Sequence, residues 1–188
     1  MKKLLIFSLI FINIIFSSKA DDIRDFQIEG MSVGDSLLDH FTISEIKNAY
    51  KNTYPKSKKF YGLQFFLSNY EVYEVIQVHL KADSNYIVSS LSGGEFFDNI
   101  NKCYSKKKVI VKDLKNMFPN AEINEGKKNF GNDSMSTFTA SEFYLDNFEV
   151  IISCTDWSKK KESTGSKDNL RVEISTIEFS DFIRYEAY

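Results

Sequence analysis

Two nine-residue stretches repeat one pattern in the two halves of the chain: Gln64-Phe65-Phe66-Leu67-Ser68-Asn69-Tyr70-Glu71-Val72 and Glu142-Phe143-Tyr144-Leu145-Asp146-Asn147-Phe148-Glu149-Val150. Each reads as a strand, a two-residue turn and a returning strand. Aromatic and β-branched side chains suit a half-buried pleated surface, and Asn tolerates the positive φ of a tight hairpin. The likeness continues downstream, where Asp83-Ser84-Asn85 precedes a strand from Tyr86 to Leu91 as Lys167-Asp168-Asn169 precedes one from Leu170 to Ser175. Upstream, Glu45-Ile46-Lys47-Asn48-Ala49-Tyr50 resembles Asp113-Leu114-Lys115-Asn116-Met117-Phe118 near the end of each predicted helix. The pattern predicts an α+β fold of two tandem units, each a helix followed by three antiparallel strands, forming one domain over residues 21–188. Unit one spans about residues 36–92 and unit two about 99–177, the second lengthened by loops at 120–136 and 158–168. A short helix over 180–187, capped by Ser180, closes the chain.

Alternation assigns the faces. In unit one Val72, Ile76, Val78 and Leu80 point inward, with Glu74 out of pattern, while Tyr73, Val75, Gln77 and His79 point the other way. In unit two the outward set is Ile151, Ser153, Thr155 and Trp157, and the repeat sets His79 opposite Trp157 as an equivalent. Helices covering one side of the sheet would leave this second face open. Tyr73, His79, Ile151 and Trp157 on it form the expected binding surface.

The first twenty residues give an address. Lys2 and Lys3 precede an almost wholly apolar run from Leu4 to Phe16, and Ser18-Lys19-Ala20 offers small residues to a signal peptidase. The run falls short of a membrane-spanning helix, so it reads as a leader cleaved after Ala20, with the mature chain exported to the periplasm or secreted. Losing Lys2, Lys3 and Lys19, and no acid, takes the formal charge from -2 to about -5, which disfavours nucleic acid as a partner. In that compartment the two cysteines, Cys103 and Cys154, pair most simply as a disulfide. Cys154 shares a strand face with Phe148, Val150 and Ile152, and Cys103 shares a helix side with Ile110, Leu114 and Met117, so both sulfurs point into one helix–sheet interface.

No catalytic motif appears: there is no GxSxG, HExxH, CxxC, Walker or dinucleotide-binding pattern. His40 and His79 are the only histidines and lie far apart in sequence. Gly93-Gly94 reads as a turn or bulge rather than a phosphate cradle. Asp133 and Asp168 sit beside lysines, a poor setting for a divalent cation. No catalytic residue, cofactor or metal site is therefore expected. Asn132-Asp133-Ser134 matches a glycosylation sequon. Lysines cluster at 106–108, 127–128 and 159–161. They read as a solvated helix face and two loops, or as an anion-facing surface for acidic lipid headgroups, polysaccharide or an acidic partner.

The segment from Asp22 to Asp39, DIRDFQIEGMSVGDSLLD, with the Cys103 helix, the Cys154 strand and the Phe-rich tail, resembles a family of uncharacterised exported proteins of free-living marine bacteria. That resemblance implies an envelope location and no chemistry. Gly30-Met31-Ser32 leading into a helix, with the tandem helix-plus-strands plan, is similar to the β-lactamase-inhibitor-like group, which includes small envelope assembly lipoproteins. The likeness implies protein binding without catalysis; the lipidation cysteine of the lipoprotein members is missing. The expected function is a soluble periplasmic module that binds another envelope protein or component. The alternative is a small-molecule-binding protein or hydrolase with a pocket between sheet and helices near Ser90, Gly93 and Glu95.

Overall fold

The computed structural model describes residues 26–66, 71–130 and 133–188. The leader, its cleavage point, the Ser68-Asn69 turn and Asn132 of the sequon lie outside the described residues. Helix α1 (Ile43–Asn48) leads into strands β1 (Tyr50–Thr53), β2 (Phe60–Phe65), β3 (Val75–Lys81) and β4 (Val88–Phe97). Helix α2 (Ile100–Met117) leads into β5 (Glu122–Phe130), β6 (Asp133–Tyr144), β7 (Phe148–Asp156) and β8 (Asp168–Thr176), with α3 (Lys159–Glu162) between the last two. Helix α4 (Ile177–Tyr185) follows β8 directly. All eight strands form one antiparallel sheet in the order β1-β2-β3-β4-β8-β7-β6-β5.

The mixed α and β character matches the sequence reading, but α1 and α2 are each followed by four strands rather than three. The six expected strands are β2, β3, β4, β6, β7 and β8, and the two extra ones, β1 and β5, are the sheet's outer edges. Most of the expected loop at 120–136 is β5 and the start of β6. Glu122, Glu125, Lys127 and Lys128 place charge on both faces of β5, so alternation there is invisible. Pairing with β6 from Glu122↔Tyr144 to Asn129↔Thr137 makes it a strand, and the same charges protect it as an unpaired edge.

Local signals set the helix starts. Thr42 and Glu45 form a reciprocal capping box at α1, and the Asn99 side chain accepts from the Asn101 N–H at α2. Helix α4 starts earlier than expected. Thr176, not Ser180, is its cap, accepting from the Phe179 N–H, and Ser180 lies inside the helix with its hydroxyl 2.8 Å from that of Ser175.

The main core lies on one face of the sheet, packed by α2 and by Ile28, Met31, Leu37 and Phe41 of the segment before α1, where Phe41 stacks on Phe65 of β2 at 4.1 Å. Ile76, Val78 and Leu80 from β3 meet it beside Val150, Ile152 and Cys154 from β7, all fully buried. Helix α2 packs across β7 and β8 and reaches β4, burying Cys103, Val111 and Leu114. Met117, expected inside, is 42% exposed, because the helix ends there and Phe118 fills the space instead. The disulfide joins Cys103 to Cys154 with Cα atoms 6.0 Å apart, tying α2 to β7.

The hairpin register corrects the face assignment. Phe143 pairs with Val150, but Phe65 pairs with Ile76, so the first hairpin carries a longer loop. Val72 therefore lies before the strand, 49% exposed, its N–H donating to the Glu29 carboxylate at 2.8 Å. The out-of-pattern Glu74 is also outside β3; its carboxylate accepts from the Phe96 N–H at 2.9 Å.

Candidate binding site on the open sheet face

Strand register organises the face opposite α2 into cross-strand rows. The first runs Gly62, His79, Ser90, Ser175, Glu149, Tyr144 and lies at the end of the sheet that α4 covers. The second runs Gln64, Gln77, Ser92, Glu173, Ile151, Glu142. The third runs Val75, Gly94, Arg171, Ser153, Ala140, Gly126, and the fourth Phe96, Asn169, Thr155, Phe138, Lys128. Among the short side chains of the third row Arg171 is the single long one. It donates to Gln77 at 3.1 Å and lies 3.0 Å from the Glu173 carboxylate. A shallow depression of about 160 Å³ opens there, lined by Gln64, Val75, Gln77, Ser92, Phe96 and Arg171 among others.

The four residues expected to form the binding surface do not converge. Ile151 sits in the second row, on the face as expected. Trp157 follows β7 at the far end, its ring stacked on Phe130 at 4.8 Å and its backbone N–H donating to the Asp168 carboxylate at 2.8 Å. Six residues of strand put the two about 20 Å apart along the sheet.

His79 faces the right way but is closed off. Only 5% exposed, it is hydrogen-bonded through Nδ1 to the Tyr54 hydroxyl at 2.8 Å and roofed by the Phe179 ring at 4.6 Å. Burial, with a smaller push from the like charge of Arg171, lowers its pKa to about 3. The longer first hairpin also makes Ser153, not Trp157, its counterpart in the β6–β7 ladder.

Tyr73 is on the opposite face. Its ring lies over Gly93, which pairs with the inward Ile76, and it packs against the main core beside α2. Burial, with Glu95 and Glu29 nearby, pushes its hydroxyl up to about 12. A Cβ at Gly93 would sit 2.5 Å from that ring, so Gly93→Ala is expected to cost about 1–3 kcal/mol of stability. Combining it with Tyr73→Ser should cost less than the two separate losses added, a coupling that urea unfolding of the double-mutant cycle measures.

Nor do Ser90, Gly93 and Glu95 share a pocket. Ser90 is fully buried on the α4 side, while Gly93 and Glu95 are on the other, Gly93 beneath Tyr73 and Glu95 paired with Lys106. His40 ends the 3-10 turn Leu37–Asp39, its Nε2 3.5 Å from the Asp35 carboxylate.

Sequence reasoning missed Arg171, Gln64 and Phe96. One signal was available: three arginines stand against twenty-one lysines. Of the two in described segments, Arg184 clamps α4 to the buried Glu149 and Arg171 occupies the centre of the open face. No family model, curated protein or solved structure matches the chain. No helix among the described residues is long and apolar enough to cross a membrane, and no cluster of three or more metal-ligating side chains occurs among them.

Proposed function

We propose that this protein is an exported, non-catalytic module that binds another envelope protein through the uncovered part of its sheet. The observation that carries the reading is Arg171, set among small side chains on the face opposite α2, with Val75, Phe96 and Ile151 around it. An arginine at such a position offers several donors to a partner carboxylate. The apolar residues supply contact area, and Trp157 with Phe130 extends it toward the far end. Two successive runs of one helix and four antiparallel strands support descent from a duplicated unit, the outline that the β-lactamase-inhibitor-like resemblance implies.

A photo-crosslinking side chain at Ile151 tests the reading in an envelope extract, beside the same probe at Val109 on exposed α2 surface. A discrete protein adduct is expected from position 151 alone, cut at least tenfold by Arg171→Ala and reduced by Trp157→Ala. Equal labelling from both positions, or labelling indifferent to Arg171→Ala, would sink it. An adduct between two copies of this chain would replace the envelope partner with self-association.

A further inference from the structure

A second concavity lies on the opposite face. Helix α2 sits over β7 and β8, and a cleft remains between its lysine-bearing side and the neighbouring parts of β5 and β6. The resulting groove, about 720 Å³, has Thr139 and Ser141 as its floor and α2 as its wall. That is within the range of small-molecule sites and far larger than the depression at Arg171. Its lining mixes two chemistries. Tyr104 and Val111 are apolar in body, while Lys107, Lys108, Lys112 and Lys115 bring four cations against one acid, Glu125. That acid is already engaged by Lys115 at 3.3 Å.

Helical spacing explains the combination. Residues 107, 108, 111, 112 and 115 fall on one stripe of α2, so Val111 is flanked by lysines whose aliphatic stems extend the apolar wall before their ammonium groups reach its rim. Lys107 is half-buried, and burial lowers its pKa, with Glu125 only partly opposing this. A negative group in the groove would relieve that cost. Lysines give point charges without the planar fork that recognises phosphate bidentately, which suits a carboxylate. An acyl chain can lie along Val111, Tyr104 and the lysine stems.

We propose that the groove between α2 and strands β5 and β6 binds a long-chain carboxylate, head group toward Lys107 and Lys112 and chain along Val111. The site is separate from the sheet face around Arg171.

Calorimetric titration of the purified protein with dodecanoate tests this, beside acetate and dodecyltrimethylammonium. Dodecanoate is expected to bind at least tenfold more tightly than either control, and Lys107→Gln with Lys112→Gln to weaken it at least tenfold. A nitroxide-labelled stearate should broaden the methyl NMR signals of Val111 and Thr139 and leave that of Ile151 sharp. Comparable binding of the cationic amphiphile, indifference to the lysine changes, or broadening at Ile151 instead of Val111 would overturn the proposal. So would binding of an acidic peptide in place of dodecanoate. Arg171→Ala should leave dodecanoate binding unchanged, so failure here and failure of the protein-binding reading are distinguishable.

Discussion

Reducing the Cys103–Cys154 bond is expected to lower the stability of the folded protein by about 4 kcal/mol, read as the change in unfolding free energy in urea with and without reductant. The bond closes a sequence separation of 51 residues, and freeing that loop returns conformational entropy to the unfolded chain. Both sulfurs are fully buried between α2 and β7. A domain of this size should melt roughly 10 °C lower once reduced. The pair Cys103→Ser and Cys154→Ser should lose at least as much, because each hydroxyl is then placed in an apolar interface. A loss below about 1 kcal/mol would show that the link adds little to what packing already holds.

Acid should act through His79. Its pKa falls from 6.5 to about 3 on folding, so below pH 6.5 the unfolded chain binds a proton that the folded one refuses. The stability is complete above pH 6.5 and is lost as the pH drops toward 3. One pKa unit corresponds to 1.36 kcal/mol, so a decline of about 3 kcal/mol is expected by pH 4.5. The cost should appear first where the imidazole is roofed, at the contact of α4 with Phe60 and Tyr54. Chemical denaturation at stepped pH measures it. His79→Phe should flatten the profile between pH 6.5 and 4.5 even where it changes stability at neutral pH. An unchanged slope would assign acid sensitivity to other groups. Glu29 and Glu178, whose pKa values are lowered, the first by backbone N–H groups that outweigh its burial and the second by Lys81, act in the same direction from the ordinary carboxylate range downward.

What the chain declares locally, the structure repeats. Alternation in Ile76-Gln77-Val78-His79-Leu80 and in Val150-Ile151-Ile152-Ser153-Cys154 is enough to sort inside from outside, because adjacent strand residues point to opposite faces. The pairing of the two cysteines was legible from the same alternation combined with a helical stripe. So were the six strands of the two repeated segments, whose aromatic and β-branched residues favour a pleated, half-buried surface.

Other features are set by residues far apart in the chain. The extra residues of the first hairpin shift its pairing to Phe65↔Ile76, which takes Tyr73 out of the strand and onto Gly93. Strand β5 has no apolar face to announce it and exists through its ladder with β6. The direction in which α4 folds back buries His79 and Ser90 and leaves the rest of that face uncovered. Arg171 is one polar residue among many in the sequence, and only the β4-β8-β7 register surrounds it with Gly94, Ser153 and Gln77. Likewise the lysines of α2 become the wall of a groove only because the helix rests on β7 and β8 with that side turned toward β5 and β6. Side-chain period fixes which way a residue points within its own element. Which residues meet depends on how elements distant in the chain are brought together, and no local pattern encodes that.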